Sequence, residues 1–397
     1  MALLSKTPLA WKNLTHDWRR LAVAVAGIGF AVLLMFTQVG FQNALFDSQM
    51  KMIDDLQGDI FLVSRAKYTL AAEKRFPLEL INQASSARGV RGAYPLYTEL
   101  TFSRLKNLEA GASSKAYPIR SIGFRLSDPV IRSPEVNAQL TRLQLPNAAL
   151  IDVRSKRDNF DFPFDDSAAL AAAPAELANK RVALVGTFEL GTDFAHDGNL
   201  AMSSENFARY FPQRVRVGDP LSVVDLGIVH VKDEADVEQV RDTLDALLDD
   251  RVFVFTRSQF RREEVKFWDE STPIGIIFTA GKIIGFVVGI VICYQVIYSD
   301  ISDHMPEFAT LKAMGYTTGY FLRLIVVEAV LLSLIGFVPG LIVSTGLYSV
   351  LAESTGLQLQ MTLGSIVLVL ILTNAMCIAS GMLAVRKLLA ADPANLF

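Results

Sequence analysis

Cysteine is nearly absent. The 397 residues include two, Cys293 and Cys377, so no disulfide framework can hold the chain together. Both fall in apolar stretches, where a thiol packs as a small apolar side chain. A charge excess is missing as well: 38 Lys and Arg stand against 41 Asp and Glu, a net charge of −3. That balance gives no sign of the basic stripe nucleic-acid binding requires. The common catalytic motifs are missing too. There is no His-Glu-x-x-His, no Gly-x-Ser-x-Gly, no Cys-x-x-Cys and no Gly-x-x-x-x-Gly-Lys-Ser/Thr phosphate loop. His196 and His230 are isolated and read as structural or surface groups, and the acidic pairs Asp165–Asp166 and Asp249–Asp250 as solvated loop charge. No catalytic residue and no metal ligand is assigned, and the chain is expected not to be an enzyme.

Four long apolar runs are present: Leu21–Phe46, Pro273–Tyr298, Phe321–Leu351 and Thr362–Leu389. A helix of roughly 20 such residues crosses a ~30 Å hydrocarbon core, so each run predicts a transmembrane helix, arranged one plus three. Between the first two lie 226 residues, 47–272, of ordinary polar sequence. A hydrophobic content of 51% and a mean hydropathy of +0.33 suit four spans plus one soluble domain. Lys6, Lys12, Arg19 and Arg20 precede the first run, Asp47, Asp54 and Asp55 follow it, and Arg386 and Lys387 close the last. The positive-inside rule then places both termini in the cytoplasm and residues 47–272 outside it. A cleaved signal peptide over residues 1–40 is the rival reading. The first run is too long for a signal core, and no clear small-residue cleavage site follows.

Within the spans, Gly281, Gly285 and Gly289 recur at four-residue intervals and put small residues on one helical face. Such a face suits close helix packing, either in a dimer or within one chain. Gly27, Gly29 and Gly40 in the first span allow the same, and Gln38, Gln42 and Asn43 give it a polar exit. Lys282 is the one charge well inside a span, and its long stem lets it snorkel to the headgroups. Gly336, Pro339 and Gly340 are expected to bend or break the third span. Asn374 reads as an interhelical hydrogen-bonding residue.

The inserted domain reads as two strand–helix–strand halves. Residues 47–57 keep helical spacing (Met50, Ile53, Leu56) beyond the first span, and Gly58 ends that helix. Asp59–Ser64, Pro77–Ser86 and Gly92–Arg104 predict strand, helix and strand; Asp225–Val231, Asp233–Leu248 and Arg251–Thr256 predict the same order again. Residues from about 105 to 220 look like a β-rich insertion, with strands at Arg181–Phe188 and Asn199–Ser203 and a flexible or weakly helical alanine-rich stretch at Ser167–Asn179. Ser258–Glu270 leads as a helix into the second span, and its Arg262, Glu263 and Trp268 are assigned to a stalk. The fold class expected is an α+β membrane protein, its four transmembrane helices carrying a large periplasmic α+β domain on a helical stalk between helices 1 and 2.

The loop Ser299–Tyr320 is the most specific segment. Asp303 can cap a short helix, Pro306 suits its first turn, and Gly315 is a natural stop. Glu307 near its start and Lys312 near its end both complement the helix dipole. Phe308, Leu311 and Met314 form its apolar edge. The run Glu307-Phe-Ala-Thr-Leu-Lys-Ala-Met-Gly315 closely resembles the coupling helix of permeases in the MacB/FtsX/LolC-LolE superfamily of ABC systems. With Asp303 and His304 included, the segment looks most like the DevC-type permeases. The amphipathic start around Leu9–Leu14 with Arg19 and Arg20, and the tail from Arg386 and Lys387 to Asp392 and Pro393, are similar to the same family.

The resemblance implies a multi-pass permease of the plasma (inner) membrane that works as a homodimer and contacts membrane lipids. Cytoplasmic ABC ATPase subunits would dock on Asp303, His304, Glu307, Phe308, Leu311, Lys312, Met314 and Gly315. ATP and Mg would sit on that ATPase, expected as a separate chain, and no cofactor on this one. A periplasmic membrane-fusion adaptor and a TolC-like outer-membrane channel are the implied outer partners. The function implied is mechanotransmission driving export of a lipid, glycolipid or other amphiphile. Lipoprotein release of the LolC/LolE kind, and regulation of a wall hydrolase of the FtsX kind, are the alternatives on the same architecture.

Overall fold

The computed structural model describes residues 18–109, 115–193, 196–248, 250–303, 305, 310, 314–315, 317–355 and 359–389. It divides into two compact units: Leu45–Thr272, and the apolar helices before and after that stretch in sequence. The first helix, α1 (Trp18–Asp55), is continuous for 38 residues. Residues up to Ala44 count with the helical unit and the remainder with the inserted one. Met50, Ile53 and Leu56 are buried, as their helical spacing predicts, against Phe61, Ile228 and Phe260 of the inserted unit.

Eleven strands make one mixed sheet. In chain order they are β1 (Ile60–Ser64), β2 (Val90–Glu99), β3 (Arg104–Asn107), β4 (Tyr117–Pro118), β5 (Arg120–Phe124), β6 (Ala148–Asp152), β7 (Ala175–Leu177), β8 (Lys180–Phe188), β9 (Asn199–Ser203), β10 (Leu226–Val231) and β11 (Val252–Thr256). Their spatial order is β11-β1-β10-β2-β5-β9-β6-β8-β7-β3-β4. Helices of this unit include α2 (Glu79–Ser85), α3 (Ser167–Ala172), α4 (Ser204–Tyr210), α5 (Val237–Leu247) and α6 (Arg257–Glu270).

The first four strands across the sheet, β11-β1-β10-β2, pair antiparallel. They come from two segments, β1-α2-β2 and β10-α5-β11, whose strands alternate: β10 lies between β1 and β2, and β1 between β10 and β11. This is the split β-α-β arrangement. Both strand–helix–strand halves read in the sequence are therefore present, interleaved in one sheet. Helix α5 starts later than its apolar periodicity predicts, at Val237, because the Asp236 carboxylate accepts from the Glu238 amide and caps it there.

The stretch from about 105 to 220 extends the same sheet past β2. Its strands include two parallel pairings, β9 with β5 and β6 with β8. Of the two readings of Ser167–Asn179, flexible or weakly helical, the structure has the helical one over Ser167–Ala172, with a strand after it. Asp166 caps α3 by accepting from the Ala168 and Ala169 amides, so it is a structural carboxylate and not only loop charge. Leu170 and Ala173 are buried, and Ala175–Leu177 pairs as β7 with β8 and β3. Alanine carries little hydrophobic signal, yet its small size lets α3 pack on β8.

The helical unit adds α7 (Pro273–Asp303), α8 (Thr318–Thr355) and α9 (Leu363–Leu389). With α1 they are the four helices, among the described residues, long and apolar enough to cross a membrane. Helix α8 is continuous with Pro339 inside it, so the third span is not broken there. Membrane helices tolerate proline where neighbouring groups satisfy the freed backbone. Gly336 and Gly340 serve instead as a close-approach surface. A side-chain carbon built at Gly29 of α1 would lie 3.5 Å from the Gly336 carbonyl oxygen and 3.6 Å from the Gly340 nitrogen.

Candidate functional site

Of the residues assigned to ATPase coupling, the structure describes Asp303, Met314 and Gly315. His304, Glu307, Phe308, Leu311 and Lys312 lie outside the described residues, as do residues 1–17 and 390–397. Asp303 closes α7, and its carboxylate pairs with Arg20 of α1. The Met314 amide donates to the Thr310 carbonyl at 3.0 Å, a helical i to i−4 bond. Gly315 adopts φ +95°, a conformation open to glycine. Met314 is 64% exposed.

The glycine series is accounted for within this chain. A side-chain carbon at Gly281 would meet Gln38 at 2.5 Å, one at Gly285 would meet Met35 at 3.4 Å, and one at Gly289 would meet Ala31 at 3.1 Å and Met376 closer still. As the α7 number rises by four, the α1 number falls by three or four: an antiparallel seam between α1 and α7. The polar exit of α1 is spent on the same neighbours. Lys282 donates from Nζ to Gln42 Oε1 at 2.8 Å, and Asn43 donates to Ser365 Oγ of α9 at 3.0 Å. Ser333 of α8 donates to Asn374 Oδ1 at 2.8 Å, and the Tyr348 hydroxyl donates to the Phe36 carbonyl in the space left by Gly40. Cys293 and Cys377 are buried and reduced, their sulfurs 3.3 Å apart between α7 and α9.

In the inserted unit the end of α1 is fastened to the start of α6. Thr256 and Gln259 form a capping box on α6. The Arg257 guanidinium then donates to the carbonyls of Ile53, Leu56 and Gly58, each at 2.6 Å. Carbonyls at a helix C-terminus lack intrahelical partners and carry partial negative charge, so the half-buried guanidinium there satisfies both. Arg261 adds an ion pair to Asp54, and Phe260 packs beside Ile53 and Phe61. The stalk residues named from the sequence sit elsewhere on α6: Arg262 and Glu263 are exposed, and the Trp268 indole donates to Glu264 Oε1 at 3.0 Å. Arg257 and Arg261 escaped the sequence reading because their partners lie about 200 positions away.

The same unit buries a charge network. Arg214 donates to Asp225 Oδ2 at 2.5 Å and to the Thr98 carbonyl at 2.7 Å, with its side chain fully enclosed. Arg75 donates to Glu99 Oε2 at 2.9 Å and to Asp225 Oδ1 at 3.2 Å, and lies 3.7 Å from Glu73. Two guanidiniums thus face three carboxylates. Burial pushes the Glu99 carboxyl up to about 7, and the neighbouring Glu73 charge adds to the rise. Burial also raises Glu73, but the Thr101 and Leu100 amides and the Thr101 hydroxyl together bring it below the ordinary value. The isolated histidines are structural: His196 Nδ1 bonds Asp193 Oδ1 at 2.9 Å, and His230 Nε2 bonds the Pro129 carbonyl at 2.9 Å. Among the described residues no group of three or more His, Cys, Asp or Glu side chains is placed to hold a metal.

Four helices long and apolar enough to cross a membrane, packed on glycine seams, with one α+β domain inserted after the first in sequence, define the class as a multi-span membrane protein. Residues 280–393 match the family described as FtsX-like permease C-terminal. That stretch, from within α7 to past the end of α9, is similar to an FtsX-like permease domain. Two solved structures are similar over the inserted domain. The periplasmic region of MacB from Actinobacillus actinomycetemcomitans shares 10% identity over 53% of this chain and 94% of that one, with a TM-score of 0.34. The extracellular domain of the noncanonic ABC-type transporter YknZ from Gram-positive bacteria shares 10% over 50% of this chain and 99% of its own, with a TM-score of 0.32. No curated protein matches the chain.

Proposed function

We propose that this chain is the DevC-like membrane subunit of an ATP-driven exporter that works by mechanotransmission. Two copies would face two cytoplasmic ABC ATPase subunits, which carry ATP and Mg. Both termini would be cytoplasmic and the inserted domain periplasmic, contacting a membrane-fusion adaptor and, through it, a TolC-like channel. Cargo would be an amphiphile taken up on the periplasmic side.

The observation that carries this reading is how the span polar groups are used. Gln42 with Lys282, Asn43 with Ser365, and Ser333 with Asn374 hydrogen-bond in pairs between helices. A permease whose spans are tied in this way suits transmitting motion better than conducting a hydrophilic solute. The test places charges on the apolar edge of the surface helix. Leu311→Asp with Met314→Asp should abolish stimulation of the partner ATPase while the protein stays folded and monodisperse. Full stimulation in that variant overturns the reading. Native pull-down adds a second readout: a co-purifying membrane-fusion adaptor supports export, whereas bound acylated lipoprotein assigns the chain to LolC/LolE-type release.

A further inference from the structure

The inserted unit contains a cavity of about 260 Å³ between β1, β11, the loop after β1 and α6. Its walls are aromatic: Tyr68, Phe253, Phe255, Phe260 and Phe267 line it. Tyr68 and Phe267 stand with ring centroids 5.3 Å apart, and Tyr68 is 65% exposed, so the wall opens to solvent on that side. Two charged residues that line the same cavity are buried, Lys67 at 5% and Glu264 at 3% exposure.

Their situations differ. Glu264 is saturated, accepting from the Thr69 hydroxyl at 2.5 Å, the Leu70 amide at 3.0 Å and the Trp268 indole at 3.0 Å. All its donors are neutral, so none of them is the lysine. Among the described residues the Lys67 ammonium makes no hydrogen bond and no ion pair within 4.0 Å; Glu264, Asp225 and Glu73 act on it, and Arg75 against it, only from farther away. The Lys67 ammonium thus faces the cavity without a hydrogen-bonded counter-charge, and the enclosure of its side chain pushes its pKa down. The exposed Lys266 lies at the rim. An aromatic cavity with one unanswered cation inside fits a ligand that is apolar along most of its length and singly anionic at one end.

We infer that this cavity binds the carboxylate head of a fatty-acyl amphiphile, with the anion on Lys67 Nζ and the adjoining chain against Phe253, Phe255 and Phe267. One ammonium matches one negative charge, which favours a carboxylate over a doubly charged phosphate monoester. The inference deepens the export reading by giving its cargo a class, and it rests on that reading only for where the bound molecule goes.

The experiment uses the full chain in nanodiscs of phosphatidylcholine, titrated with a dansyl-labelled fatty acid. Saturable binding is expected, weaker by roughly tenfold or more in Lys67→Met and for the methyl ester of the same probe. Lys67→Arg should retain binding. Lys67→Met removes an unanswered buried charge, so without ligand it should melt no lower than the parent, which separates loss of the site from loss of the fold. Equal binding by the ester, unchanged binding in Lys67→Met, or partition that never saturates overturns the inference. Competition by phosphatidylglycerol added to the nanodiscs would assign the site to a membrane headgroup and overturn it too. No ATPase is present, so the two readings fail separately: binding can survive when the coupling variant sinks export, and export can survive when binding is absent.

Discussion

At the scale of single residues, Arg214 shows how much one guanidinium can hold. Its side chain is enclosed among Asp225, Thr98 and Glu99, so Arg214→Met would leave buried carboxylates facing only Arg75. Breaking a buried pair from one side costs about 3–5 kcal/mol, and a matching drop in the thermal stability of the inserted unit is expected in a melting experiment. Glu99 makes a pH-dependent prediction. The folded chain holds its proton up to about 7, whereas the ordinary carboxyl value is 4.5. Its contribution is therefore complete below the unfolded value and is lost as pH rises through the folded one. Stability measured from about pH 5 to about pH 8 should fall, and Glu99→Gln should flatten that fall. None of this network was legible in the sequence. Arg75, Glu99, Arg214 and Asp225 sit in unremarkable surroundings and meet only when the interleaved strands bring positions up to 150 apart together.

At the scale of elements, periodicity carried most of the information. The amphipathic α5 and the alternating β11 were readable because one face of each is buried, and the spans because they are long and apolar on all sides. The glycine spacing of α7 announced a close contact, yet spacing alone could not name the partner helix, which is α1. The structure ranks these glycines. At Gly285 an added carbon makes ordinary contact with Met35, so Gly285→Ala should be tolerated. At Gly289 it meets the flexible Met376 thioether, so Gly289→Ala should be intermediate. At Gly340 it lies 2.9 Å from the Gly29 carbonyl oxygen and 2.7 Å from Val32, and backbone cannot step aside, so Gly340→Ala should be worst. The monodisperse fraction in mild detergent should follow that order. Local chemistry at Pro339 predicts a bend or a break, whereas continuity of α8 is decided by what surrounds it.

At the scale of the whole molecule, the one-plus-three layout and the inserted α+β domain followed from where apolar sequence stops and starts. The extension of a single sheet through eleven strands did not. Strand order depends on pairings between distant segments, and the short strands β4 and β7 carry too few residues to show a pattern. The Arg257 fastening between α1 and α6 has the same origin. It joins Ile53 to a residue 204 positions later, and the start of α6 offers no local hint of it.

Cys293 and Cys377 give the protein a built-in gauge of its own motion. Two reduced sulfurs 3.3 Å apart, on different helices, invite a dithiol-seeking arsenical that can enter the bilayer. Such a reagent would stitch α7 to α9 in resting protein without any engineered label. Should turnover part those helices, the stitched fraction will drop while ATP is being consumed and recover when it runs out; a constant fraction would mean that they travel together as one rigid pair.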